Sequence, residues 1–90
     1  MARAKYEARE IRRLFAHRVL MLRTGRGWNQ DVLAELAGVH RNYIGQVERS
    51  EVNVGMENIF KLATAFEISI GELLTFPEPI STYHERHVAF

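Results

Sequence analysis

Gly38 stands between two short amphipathic stretches, and that arrangement constrains the fold more than any other feature of the chain. Over Gln30–Ala37, the residues Leu33, Ala34 and Ala37 recur at spacings that place them on one face of a helix. Beyond Gly38 and Val39, Ile44 and Val47 do the same for a second segment, from about His40 to Arg49. Glycine adopts φ > 0 without a Cβ clash, so Gly38 suits the residue that closes the first helix. Ala34 and Ala37 are small and let a neighbouring helix approach closely. The pattern predicts two short helices around one tight turn. One face of the second helix is held by Ile44 and Val47, and the other carries His40, Arg41, Asn42, Tyr43 and Gln46.

Ninety residues suffice for one domain with a modest core. Cysteine is absent, which excludes disulfides and thiolate metal sites and agrees with a cytoplasmic protein. No apolar run approaches the roughly 20 residues that span a bilayer, and no membrane role is expected. Arg3, Lys5 and Arg9 have no apolar stretch close behind them, so no signal peptide is expected. The net charge of +1 conceals an asymmetry: residues 1–26 carry +6, residues 27–49 carry −1 and residues 50–90 carry −4. A basic end is what a field aimed at an anionic partner requires, although a solvated helix face gives the same counts.

Along the chain, Ile11, Leu14, Phe15, Val19 and Leu22 predict a first helix from about Glu7 to Arg26, with Arg9, Arg12, Arg13 and His17 off its buried stripe. Gly25 and Gly27 stop it. Asn29 is a good N-cap for the second helix, with Trp28 and Leu33 placed as a hydrophobic staple. After a polar loop over 50–55, Ile59, Leu62, Ala63 and Phe66 predict a fourth helix over 56–67. The capping-box spacing of Ser69 and Glu72 opens a last short one through Leu74. The expected fold class is all-α, with five helices in a domain spanning 7–74. Pro77 and Pro79 set off a tail over 75–90. Phe76, Ile80, Tyr83, Val88 and Phe90 make that tail apolar enough to dock on its own domain or on a partner chain. His84 and His87 have a spacing that two metal ligands could share, but no third ligand is near, so they read as a surface pair and no metal is expected.

At this point the chain resembles the Cro/repressor-type helix-turn-helix family, also called the XRE family. The residues that carry the resemblance are Arg23, Gly27, Gln30, Leu33-Ala34, Ala37-Gly38-Val39, Tyr43-Ile44, Glu48, Asn53, Ile59, Leu62-Ala63 and Leu73-Leu74, and it covers roughly residues 9–74. The small size is also similar to the controller proteins of restriction–modification systems. The resemblance implies a regulator that binds double-stranded DNA as a homodimer on a palindromic operator, a repressor more than an activator. It implies that Gln30, and with it Asn29, touches phosphate. It places Arg41, Asn42 and Gln46 at base-reading positions, and His40 and Tyr43 where they meet the backbone or thymine methyl groups. It pairs Arg23 with Glu48 as a buried ion pair. Two positions depart from the family pattern. His40 stands where Ser or Thr usually caps the third helix, which leaves that helix's first residue open, and Gly55 stands where a capping side chain precedes the fourth.

The residues themselves fit that chemistry. Arginine can donate two hydrogen bonds to guanine O6 and N7, and Asn or Gln can pair bidentately with adenine. Residues 42 and 46 lie one turn apart on a shared face flanked by Arg41, although a solvated polar face would look the same. Gln30 at a helix N-terminus is well placed for phosphate. Arg49, Ser50 and Asn53 follow the third helix, where they either clamp the DNA backbone or form a solvated loop. Nothing supports an enzyme or a cofactor, since Gly25-Arg26-Gly27 lacks the preceding strand of a phosphate-cradling loop. The alternative reading is a protein-interaction module, such as an antitoxin-like protein that holds its partner through the tail. For the homodimer, the expected interface is Ile70, Leu74, Phe76 and Ile80.

Overall fold

The computed structural model describes residues 7–76, and it is all-helical over that range. Five helices follow in order: α1 (Ala8–Gly25), α2 (Gln30–Ala37), α3 (Arg41–Glu48), α4 (Met56–Phe66) and α5 (Ile70–Leu73). No helix among them is long and apolar enough to cross a membrane.

The boundaries follow from local chemistry. Asn29 caps α2 by accepting the Val32 N–H at 3.0 Å, which satisfies one of the free donors of the first turn. Gly38 ends α2 at φ 72°, ψ 36°, in the left-handed region where glycine carries no Cβ penalty. Ser69 and Glu72 close both halves of a capping box on α5, at 3.0 and 2.9 Å. The open question at His40 is settled in favour of capping. Its Nδ1 accepts the Asn42 N–H at 3.1 Å, so imidazole does here what Ser or Thr would do, and α3 begins at Arg41. Gly55 precedes α4 with no side-chain cap.

The core is one cluster drawn from all five helices. Val19, Leu33, Ile44, Val47, Leu62, Phe66 and Leu73 are its most deeply buried members. Fully burying an aliphatic or aromatic side chain of this size contributes about 1.5–3 kcal/mol each, so these few contacts dominate the stability of so small a domain. α2 packs on α3 and α4, and α1 on α3, which fixes α3 from behind. Trp28 lies half-buried, stacked on Phe66 with ring centroids 5.8 Å apart and planes 4° from parallel. Arg26 lies over both rings and donates to the Phe66 carbonyl at 2.9 Å. Trp28 is thus a packing residue that holds the entry to α2.

Part of the basic run of residues 1–26 is engaged inside the domain. Arg12 donates to Asn53 Oδ1, Arg18 to the carbonyls of Glu72 and Leu73, Arg23 to Glu48, and Arg26 to Phe66. These guanidiniums tie α1 to the rest of the domain. The apolar residues expected at a dimer interface divide in the structure. Ile70 and Phe76 pack against the core, and only Leu74 of the described set stays substantially exposed. The larger exposed apolar residues are Met56 at 70% and Phe60 at 58%, one turn apart on α4. Ile80, the rest of the tail beyond Phe76, and the His84–His87 pair lie outside the described residues.

Candidate nucleic-acid interface

The N-termini of α2 and α3 lie together, and the contact that shows it is Arg41 Nε to Asp31 Oδ1 at 3.1 Å. Arg41 is the first residue of α3 and Asp31 the second of α2. Both side chains are 61% exposed, so the pair lies on the surface. Asn42 and Gln46 are exposed on α3 beside it, and neither side chain has a hydrogen-bond partner among the described residues. Behind them Ile44 and Val47 are buried. Amphipathicity over two turns therefore sets a rigid back and leaves a polar front with unused donors and acceptors.

Deeper in, Glu48 at the end of α3 joins three elements. Arg23 Nε and Nη2 donate to its two carboxylate oxygens at 2.6 and 3.0 Å, and Arg23 Nη1 donates to the Trp28 carbonyl at 2.7 Å. The side chains are 11% and 6% exposed. Gln30 Nε2 then donates to Glu48 Oε1 at 3.0 Å. The Gln30 amide is therefore anchored on Glu48, with one N–H of its NH₂ group left over.

The other candidate residues are partly engaged inside the protein. Asn29 uses its Oδ1 as the α2 cap and His40 its Nδ1 as the α3 cap. Tyr43 accepts a hydrogen bond from Asn58 Nδ2 at 3.1 Å, which ties α3 to α4. Arg49 donates through Nε and Nη2 to the two oxygens of Glu51, at 2.9 and 3.2 Å. This side-on pairing holds the Glu51 carboxyl below its ordinary range and raises the Arg49 guanidinium, the hydrogen bonds being the larger cause in both. Asn53 does not join the α3 group. Its Oδ1 accepts from Arg12 at 3.1 Å, and it lines an apolar groove with Ile11, Arg12, Phe15, Val52 and Phe76. The residue that sequence reasoning missed is Asp31, ten positions from Arg41 and brought to it only by the packing of α2 on α3.

This geometry can present hydrogen-bonding side chains from one short helix to an edge of another molecule. Comparisons with known proteins agree on the architecture. The helix-turn-helix family model matches residues 19–73. The control protein C.SmaI of Serratia marcescens is 41% identical over 66 residues, which cover 73% of this chain and 79% of that protein. The crystal structure of the restriction-modification controller protein C.AhdI from Aeromonas hydrophila is 47% identical, with a TM-score of 0.67 over 69% of this chain and 94% of that one. The crystal structure of the hypothetical transcription factor NHTF from Neisseria is 28% identical, with a TM-score of 0.73 over 92% of this chain and 97% of that one.

Proposed function

The chain belongs to the helix-turn-helix family of the Cro/repressor (XRE) type, whose members are DNA-binding transcription regulators and not enzymes, and we propose that it is a sequence-specific repressor acting as a homodimer on a palindromic operator. The similarity to C.SmaI and C.AhdI supports a controller-type role beside a restriction–modification system. The observation that carries the reading is the front of α3: Arg41, Asn42 and Gln46 exposed together, with Ile44 and Val47 locked behind them.

In this reading residues 7–74 are the DNA-binding domain, and α3 lies in the major groove. Arg41 donates to guanine, and Asn42 and Gln46 pair with adenine edges. Gln30, Asn29, His40, Tyr43 and Arg49 meet phosphate and sugar through the groups their internal bonds leave free, and Asn53 sits at the margin. Gln30 is held for this by Glu48, so the buried ion pair and the phosphate contact share one carboxylate.

The test is affinity at fixed salt on an operator selected from a random pool and on scrambled DNA. Arg41→Ala and Gln46→Ala are expected to cost about 1–3 kcal/mol on the operator and to relax preference at one position of each half-site. Gln30→Ala is expected to weaken all sequences alike, because phosphate carries no sequence information. An unchanged ratio of specific to non-specific affinity in the first two variants removes α3 as the reading element.

The homodimer rests on the exposed apolar face of α4. Met56 and Phe60 share that face, and a two-fold interface needs one self-complementary patch per subunit. The half-sites would then lie about 10–10.5 base pairs apart. Sedimentation of the full chain at tens of micromolar is expected to show a dimer that Phe60→Asp converts to monomer. A wild-type monomer under those conditions sinks the assignment.

A further inference from the structure

Arg41 and Asp31 form an ion pair that has little to do for the fold. Both side chains are 61% exposed, and the closest approach, Nε to Oδ1 at 3.1 Å, is an ion pair without a hydrogen bond. Pairs so exposed contribute close to nothing to stability, because solvent screens them and two long side chains lose freedom to make them. An aspartate beside a DNA-facing helix also repels every phosphate it approaches. On generic affinity alone the residue is a cost.

The geometry gives it a different use. Guanidinium carries five N–H donors, one on Nε and four on the two Nη groups. Asp31 Oδ1 lies 3.1 Å from Nε without hydrogen-bond geometry, so the attraction is one of charge. The terminal fork of Nη1 and Nη2 remains, and two parallel donors are what guanine O6 and N7 accept in the major groove. Arginine is among the side chains with most rotamer freedom, so an unheld Arg41 would sample many directions, including those that reach phosphate. A carboxylate carried on α2 favours the directions that keep the guanidinium beside it, and does so more strongly once DNA excludes water from the pair. Asp31 lies in the first turn of α2, and α2 is packed against α3, so the carboxylate is carried on the same rigid unit as the arginine it attracts.

We propose that Asp31 is a positioning residue for base readout: its charge keeps the Arg41 guanidinium on the α2 side so that the Nη fork meets a guanine at one position in each half-site. The proposal rests on the reading of α3 as the base-reading helix. Asp31 sharpens discrimination and lowers affinity for DNA in general.

The experiment uses the full chain, the selected operator, a panel carrying every single-base replacement across one half-site, and scrambled DNA, all at one salt concentration. Arg41→Ala first identifies the base position that Arg41 reads. Asp31→Ala is expected to lower discrimination at that same position by roughly fivefold, a part of what a full bidentate contact supplies, and to raise affinity for scrambled DNA. The double variant is expected to show the base preference of Arg41→Ala alone. Asp31→Asn removes the charge and keeps the size, so it should raise scrambled-DNA affinity and relax discrimination as Asp31→Ala does; full discrimination in Asp31→Asn overturns positioning by charge. Thermal midpoints separate this from a structural role. Asp31 also complements the α2 dipole, and loss of that would move the midpoint and all sequences together.

If Asp31→Ala shifts every sequence by one common factor, with base preference intact, the proposal is overturned and Asp31 is only a local charge. If Arg41→Ala also leaves every preference intact, the reading of α3 itself has failed, and this inference falls with it. Relaxation by Arg41→Ala without relaxation by Asp31→Ala defeats the inference alone.

Discussion

Arg23 and Arg41 each bring Nε close to a carboxylate oxygen, and the two pairs differ in almost everything else. Arg23 sits at the end of α1 and uses all three of its nitrogens, two on Glu48 and one on the Trp28 carbonyl. Its pair is 11% and 6% exposed. Arg41 makes no side-chain hydrogen bond among the described residues, and its pair is 61% exposed on both sides. The inner pair has lost its water and cannot dissociate without leaving an uncompensated charge inside the domain. The outer pair can open at almost no cost. The same two functional groups therefore serve as a tie between helices in one region and as a restraint on direction in the other, and burial alone decides which.

Breaking the inner pair should give the largest effect. Arg23→Ala removes both donors from Glu48 and the donor from Trp28, and only the Gln30 amide remains on the carboxylate. The expected loss is about 3–5 kcal/mol, a large share of the roughly 5–15 kcal/mol that holds a domain of this kind together. The thermal midpoint should fall by more than about 10 °C. Arg41→Ala, measured side by side, should move stability by less than about 1 kcal/mol. Replacing both members of the inner pair, Arg23→Met with Glu48→Leu, should recover part of the loss, since no lone buried charge is then left. Equal midpoints for Arg23→Ala and Arg41→Ala would erase the distinction between the two regions.

How much of this was legible in the sequence divides along the same line. Asn29, Gly38 and the Ser69–Glu72 box are local devices, closed within a few residues, and their spacing alone predicts them. The helices and most of the buried stripe follow from periodicity. Of the contacts that depend on how helices cross, only Arg23 with Glu48 was anticipated, and from the resemblance, not from spacing. Asp31 meets Arg41, Gln30 meets Glu48 and Asn58 meets Tyr43 only because α2, α3 and α4 pack at particular angles. The charge count does not show which arginines also tie elements together. Arginine's long stem and planar fork let a surface-looking residue reach an acceptor on another element, as Arg12, Arg18, Arg23 and Arg26 do. The apolar count of the last helix does not show that Ile70 and Phe76 fold onto the core, while Met56 and Phe60 lie off the Ile59–Leu62–Ala63–Phe66 stripe of α4 and stay exposed. The signal for that face was present, two large apolar residues four apart on the wrong side of a helix.

A third pair tests whether exposure or geometry governs the comparison, and its effect should be the smallest. Arg49 and Glu51 make two hydrogen bonds, as the inner pair does, yet lie on the surface, as the outer pair does. The Arg49 guanidinium lowers the Glu51 pKa, chiefly by hydrogen bonding. A depressed carboxylate favours the folded state above its unfolded pKa, and that contribution disappears as pH falls through the lowered folded value. Glu51→Gln should therefore track wild type in thermal midpoint at moderate salt, and any small wild-type advantage at neutral pH should vanish in the acid range. Arg49→Ala should return the Glu51 carboxyl, followed by side-chain NMR, to its ordinary range without a measurable change in midpoint. The partners are two residues apart and link no separate elements, so good geometry here anchors nothing. A midpoint drop in Glu51→Gln comparable to that of Arg23→Ala would show that the two-bond geometry, and not burial, makes the inner pair strong. Freed from Glu51, Arg49 should also raise affinity for operator and scrambled DNA by the same factor. This is the signature of a phosphate-facing charge, and it is opposite to the base-specific loss expected from Asp31→Ala.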